Sequence, residues 1–264
     1  MLPHHHDPIV AIATAPAKVN ANNRLSLTGV LSASYNLTAT WSASVGGVDF
    51  VLATSTPPTV AFQGAEVSAG IPFALLVPVN SLSAGSRVTF RLSADRSGAS
   101  TVVFQSFSEV SIDINSPPTS GSFTVAPGAG EALATSFRLS ASGWTDEYAD
   151  LPLSYSFTFT TIPESGPLVI QSRQGASAMS TVLPAGSQAL SYVITVTTTV
   201  YDTMFAFTEV TRVATVSPVS SSEVLTDFMT ANVDTFATTR DTNQATRLVN
   251  NVVATINAVN CSAT

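Results

Sequence analysis

Through much of this chain apolar residues alternate one for one with hydroxyl-bearing or charged residues. Val88, Phe90 and Leu92 alternate with Thr89, Arg91 and Ser93; Leu153, Tyr155, Phe157 and Phe159 alternate with Ser154, Ser156, Thr158 and Thr160. A period of two sends successive side chains to opposite faces of a strand, so each run predicts a strand with one face in a core and a polar face outward. In the first half, strands are expected at Ile9–Ala13, Leu25–Ala33, Leu37–Val45, Val48–Leu52, Phe73–Val77, Arg87–Ala94 and Val102–Ile114. Turn signals at Gly46-Gly47, Pro57-Pro58, Gly70 and Gly98 separate them. Trp41, in the third of these strands, is expected in the core between two sheets. The second half repeats the plan with Phe123 and Val125, then Phe137, Leu139 and Ala141, then Tyr192, Ile194 and Val196. Its last strand, Phe205 to Val216, changes phase between Phe207 and Val210, which predicts a bulge.

Between the two halves stands Ser116-Pro117-Pro118. Consecutive prolines lack the N–H groups a central strand needs and fix φ, so they mark a seam of extended backbone. Asn115, Pro117, Pro118 and Trp144 are the residues expected at that seam. An internal repeat supports the division: Leu82-Ser-Ala-Gly-Ser86 recurs as Leu183-Pro-Ala-Gly-Ser187, and Ser116-Pro117 recurs as Ser217-Pro218, both at an offset of 101 residues. Glycine in the repeated turn suits a positive φ. After Pro218 the period becomes helical. Ser220 with Glu223 makes a capping-box spacing, with Leu225, Phe228, Met229, Val233 and Phe236 on one side of the helix; a second helix from Asp241 aligns Ala245, Leu248, Val249, Val252, Ile256 and Val259. The expected architecture is mainly β: an arm (1–7), an Ig-like or fibronectin III-like sandwich (8–115), a second sandwich (116–218), and a helical hairpin (219–264) that could open a further domain.

Composition narrows the function classes. The 264 residues are 45% hydrophobic and 10% charged, with a formal net charge of −7 and a single lysine, Lys18, so no basic footprint for nucleic acid exists. No stretch approaches the roughly 20 apolar residues of a membrane-spanning helix. One cysteine, Cys261, excludes an internal disulfide framework. The only histidines are His4, His5 and His6, so a Ser-His-Asp constellation could draw only on the arm, and three adjacent histidines on extended chain alternate in direction rather than closing on one ion. No phosphate-binding glycine loop opens a helix. Neither a catalytic site nor a cofactor is expected. Asp146, Glu147 and Asp150 are weak calcium candidates, since hard cations want several oxygens, but their spacing matches no loop motif. Asn36-Leu-Thr and Asn260-Cys-Ser are N-glycosylation sequons, of which Asn36 is the better placed.

Asn115-Ser-Pro-Pro, Gly121-Ser-Phe-Thr-Val, Pro127 with Gly130-Glu-Ala-Leu, Gly143-Trp144-Thr-Asp146 and Pro152-Leu-Ser-Tyr155 together resemble the receptor-for-egg-jelly (REJ) module of polycystin-like cell-surface proteins. The resemblance covers the second sandwich well and the first more loosely. It implies tandem Ig-like sandwiches in the ectodomain of a large surface protein. It also implies cysteines where this chain has Phe123 and Ala141; an apolar contact could replace that staple. Three function classes follow. The first is a non-enzymatic structural or adhesive spacer at the cell surface, whose partners are neighbouring modules of the same long chain, other copies or a surface glycoprotein. The second is an ectodomain that recognises a glycoconjugate or protein through sandwich loops carrying Trp144 and Tyr148. The third is an intracellular adaptor that uses the helical stripe.

Overall fold

The computed structural model describes residues 7–97, 105–219, 222–239 and 242–260. The arm histidines His4 to His6, the start of the run at Val102, the cap residue Ser220, the helix junction at Arg240 and Asp241, and Cys261 lie outside them. The chain forms two compact units, Met1–Ser116 and Pro117–Thr264. Each contains one β-sandwich, Ig-like in form, and a C-terminal helical hairpin follows the second.

The first unit contains β1 (Ile9–Thr14), β2 (Lys18–Asn20), β3 (Leu25–Ser32), β4 (Leu37–Val45), β5 (Val48–Phe50), β6 (Thr59–Phe62), the one-turn helix α1 (Gly64–Val67), β7 (Ile71–Val77), β8 (Arg87–Arg96) and β9 (Gln105–Asn115). One sheet runs β1-β3-β7 and the other β2-β9-β8-β4-β5, with β6 also paired to β4. Their inward rows meet in a single core: Leu27, Leu31 and Leu75 from the first sheet, Phe90, Leu92 and Ile112 from the second, all fully buried. Trp41 sits in that core and its indole Nε1 donates to the Phe73 carbonyl on the opposite sheet at 3.3 Å, so the polar edge of a buried ring is satisfied across the sandwich.

The second unit contains β10 (Ser122–Ala126), β11 (Ala129–Glu131), β12 (Phe137–Ser142), β13 (Ser154–Thr160), β14 (Leu168–Gln174), β15 (Ala178–Thr181), β16 (Val193–Tyr201), β17 (Phe207–Ser217), α2 (Ser222–Thr239) and α3 (Thr242–Asn260). Its sheets run β10-β12-β15 and β11-β17-β16-β13-β14. This order repeats that of the first unit, strand for strand, apart from β6. Phe123 and Ala141, where the family resemblance implies a cysteine pair, face each other directly in the β10–β12 register and are both buried. Phe123 then stacks on Phe157 of the opposite sheet at 5.8 Å between centroids. An apolar contact thus occupies the place of a covalent one, in register with it.

The repeated turn closes each sandwich in the same way. In the first unit the Gly85 N–H donates to the Ile114 carbonyl at 2.7 Å and the Ile114 N–H to the Ser86 carbonyl at 2.8 Å. In the second, Gly186 donates to Val216 at 3.0 Å, while the Val216 N–H turns to the Tyr192 carbonyl at 2.9 Å. Gly85 has φ +75°, as the turn predicts. Gly186 is needed for a different reason: a side chain there would strike the Tyr192 backbone. On the other flank of each last strand lies a short strand running parallel to it, β2 on β9 (Lys18↔Asp113 to Asn20↔Asn115) and β11 on β17 (Ala129↔Thr215 to Glu131↔Ser217).

Two expectations change. β17 pairs with β16 from Tyr201↔Phe207 to Val193↔Thr215 without a register shift, so the phase change is no bulge. Phe205 lies before the strand, in a turn, and Phe207 and Val213 face outward while Ala214 and Val216 face the core. The stripe of α3 is also rotated. Val249 is exposed while Asn251, Ala254 and Thr255 are buried. Polar chemistry causes this: Asn250 and Asn251 donate their side-chain amides to the carbonyls of Val169 and Val182 at 3.0 and 3.1 Å, which turns the asparagines toward the sandwich and satisfies backbone acceptors beneath the helix.

The Phe123 contact generates a stability prediction. Phe123→Ala removes a buried aromatic and should destabilise the second unit by about 3–5 kcal/mol in urea denaturation. Directly opposed residues in an antiparallel pair sit about 4.5–5.5 Å apart at Cα, within disulfide range, so the double substitution of Phe123 and Ala141 by cysteine should oxidise to a bridge detectable by mass spectrometry. A Phe123→Ala protein as stable as the parent would refute the contact.

Candidate functional site

Chemistry-bearing residues of this chain lie at strand ends and loops, where the alternating pattern stops. Asn36 precedes β4 in an exposed turn. Its side-chain Oδ1 accepts the Gly64 N–H at 2.8 Å and its carbonyl accepts the Ser97 N–H at 2.9 Å, so the turn is fixed while the amide nitrogen, the atom a glycan would join, belongs to the other arm of the same amide. Thr38, the sequon's hydroxyl, hydrogen bonds with Ser97 Oγ at 3.0 Å. The neighbouring Tyr35 phenol is held above its usual range by burial, then by the Asp7 carboxylate, with the Arg96 guanidinium pulling the other way. Asn260 ends α3, and Cys261 and Ser262 of its sequon lie outside the described residues.

The residues expected at the seam separate into two structural roles. Asn115 ends β9, is buried, and donates its amide to Asn20 Oδ1 at 2.8 Å, fastening the last strand of the first unit to β2. Pro118, buried in the second unit, accepts the Thr208 hydroxyl on its carbonyl at 2.7 Å; Pro117 beside it is half-buried. Beyond them, Thr119 and Thr145 exchange backbone hydrogen bonds at 2.9 and 3.0 Å, which lays the start of the second unit along the Trp144 loop. Trp144 is half-buried against the second core, with its indole flat over Gly121, where any side chain would collide with the ring. Trp144 is therefore a packing residue of its own sandwich. Tyr148, by contrast, is 93% exposed.

The calcium candidates do not form a cage. Asp146 Oδ1 accepts the Glu147 N–H at 2.8 Å, Glu147 is exposed, and Asp150 is buried with its carbonyl taking the Thr203 N–H at 3.0 Å. Among the described residues no group of three or more His, Cys, Asp or Glu side chains is gathered for a metal ion. Nor do the described residues include a histidine.

A feature that sequence alone does not disclose lies in the β16–β17 turn. Buried Asp202 accepts the Ala206 N–H on Oδ1 at 2.9 Å, and its own N–H donates to the Ala206 carbonyl at 3.0 Å. The turn so pinned holds Phe205 at φ +68°, with the residue 64% exposed. Above the Phe205 ring, at 4.0 Å, lies the Arg173 guanidinium from β14, which also stands 5.2 Å from the Tyr201 ring and donates Nε to Ser154 Oγ at 2.8 Å. Tyr201 in turn contacts Phe207 at 5.7 Å. The available signal was the phase change between Phe207 and Val210, which reads as a bulge because a left-handed phenylalanine ahead of the strand is rare.

The family model for the REJ domain matches residues 4–251. No curated protein matches significantly. Among solved structures, similarity extends to a 1.5-MDa bacterial ice-binding adhesin (12% identity, 81% of this chain and 66% of that one, TM-score 0.38), an ICAM-5 D1–D4 ectodomain fragment (12%, 79% and 53%, 0.32) and the extracellular cadherin domains 1–5 of protocadherin gamma B2 (13%, 81% and 41%, 0.28). The chain spans less than two thirds of each of those structures, and overlaps this loose carry no inference about its partners.

Gly121→Ala tests the role of Trp144. The new methyl must displace the indole, so the second unit should lose about 1–3 kcal/mol, with altered tryptophan fluorescence. An unchanged emission spectrum and unchanged stability would place Trp144 away from Gly121.

Proposed function

The chain belongs to the REJ domain family, and from that membership and its fold we propose that it is a non-enzymatic structural and adhesive spacer in a large extracellular or filament-forming cell-surface protein. The observation that carries this reading is the parallel pairing of a short early strand with the last strand of each unit, β2 on β9 and β11 on β17. When the two ends of a unit are pulled apart, such strands are drawn in opposite directions along their length. Their hydrogen bonds are then loaded together in shear rather than peeled one at a time. The buried Asn20–Asn115 bond adds to the clamp in the first unit. Pro117 and Pro118 restrict the backbone that passes load onward.

Other surface features accord with an ectodomain. The exposed Asn36 turn is shaped to carry a glycan, and the outer faces of β13 and β16 carry the half-buried hydroxyls of Ser156, Thr158 and Thr197, with Thr158 opposite Thr197. No helix among the described residues is long and apolar enough to cross a membrane. The partners are neighbouring modules of the same chain and other surface proteins. On the helical hairpin, Met229 with Val233 and Val249 with Val253 remain exposed at i, i+4 spacing and would serve as the packing face of a further domain. A second reading, recognition of a ligand through the loops, is favoured by one observation, the exposure of Tyr148, in the turn before β13, and of Phe205, in the turn between β16 and β17.

Single-molecule stretching between the termini tests the spacer reading. Two cooperative unfolding events are expected, and Val19→Pro, which breaks the β2–β9 pairing, should lower the force of one and leave the other unchanged. If Val19→Pro moves neither event, the parallel pair bears no load.

A further inference from the structure

We propose that the β16–β17 turn of the second unit is a protein-docking site, with Arg173 on the Phe205 and Tyr201 rings as its anchor and a carboxylate flanked by an apolar side chain, on a partner's acidic loop, as its occupant. Three observations converge there. The first is the cost of the arrangement. A bulky aromatic residue at φ +68° is sterically disfavoured, and the turn imposes it through buried Asp202 while leaving Phe205 64% exposed, so it contributes little to the core. Backbone strain that presents a side chain to solvent is the kind that accompanies a binding role.

The second observation is the state of Arg173. Its guanidinium is stacked at 4.0 Å over Phe205 and steadied by the Nε bond to Ser154 Oγ at 2.8 Å. Both fixed contacts use the ring face and Nε; among the described residues no carboxylate pairs with the two terminal nitrogens. A guanidinium oriented in advance, with its fork unspent, accepts a carboxylate in two parallel hydrogen bonds at little entropic cost. Arg91 in the first unit offers a contrast: it too lies over an aromatic ring, Phe107 at 3.7 Å, but there Glu109 already engages it at 3.5 Å.

Third, the surroundings select the partner. The formal net charge of −7 opposes an acidic partner at long range, so the selection is local and comes from the Arg173 fork, which no carboxylate among the described residues engages. Phe205 and Phe207, 64% and 45% exposed, supply apolar area beside the guanidinium, and exposed aromatic rings beside an arginine are the usual composition of a protein–protein anchor. Tyr148 extends the same end of the sandwich, since the Asp150 carbonyl receives the Thr203 N–H of this turn. The inference stands on the second unit alone and survives failure of the spacer reading.

The test measures binding of the whole chain to immobilised blocked peptides in which one Asp or Glu neighbours Leu, Val or Phe, with the matching Asn and Gln peptides as controls and glucuronate oligosaccharides as a separate arm. The acidic peptides should bind at least about tenfold more tightly than their amide counterparts, and Arg173→Gln should abolish that difference. Arg173→Lys should weaken it too, because lysine lacks the planar fork and its stack. Phe205→Gly separates binding from folding: glycine relieves the left-handed strain, so melting temperature should hold or rise while affinity falls about tenfold. Equal binding of acidic and amide peptides, an Arg173→Gln protein that discriminates like the parent, or binding confined to the glucuronate arm would each overturn the proposal.

Discussion

Both sandwiches depend on how their last strand is held. β9 and β17 contribute Ile112 and Ile114, and Ala214 and Val216, to the two cores, yet each would lie at the edge of its sheet were it not flanked on the far side. An uncovered edge leaves backbone donors and acceptors unsatisfied and offers itself to other chains. The protein covers each edge with a three-residue parallel strand and closes its end with a Leu-x-Ala-Gly-Ser turn whose glycine N–H reaches the Ile114 or Val216 carbonyl. The same device at a sequence offset of 101 residues, with the same sheet order on either side of it, indicates two copies of one fold.

That device also connects fold to function. Because the clamp joins an early strand to the last one in parallel, it would lie across the path of tension in the spacer proposed above. On the spacer reading, core packing determines whether the sandwich forms and the clamp how it yields. The contact at Phe123 and Ala141, where the family resemblance implies a cysteine pair, serves the same end. Phe123 and Ala141 keep the register that a disulfide would impose, with the inter-sheet stack on Phe157 in place of a bond.

The sandwich strands that alternate strictly were legible in sequence, since a half-buried strand must alternate: β4 spans Leu37–Val45 as its pattern requires, and β8 and β13 follow theirs closely. The clamp strands were not. Three residues such as Lys18–Asn20 are too short to show a period, and a parallel partner about a hundred residues away leaves no local mark. The helices were legible as elements but not in their orientation, because Asn250 and Asn251 read as solvent-facing until the carbonyls of Val169 and Val182 are seen beneath them. Of the surface chemistry, the Asn36 sequon was readable from its triplet. The Phe205 turn was not, since its meaning lies in a φ angle and in Arg173, 32 positions away in the chain.

The claim that this is a surface module is tested most directly on intact cells of the natural source, by brief proteolytic shaving followed by mass spectrometry of the peptide containing Asn36. The account predicts that the peptide is released without lysis and that Asn36 carries a glycan. A peptide recovered only after lysis, with Asn36 unmodified, would contradict it.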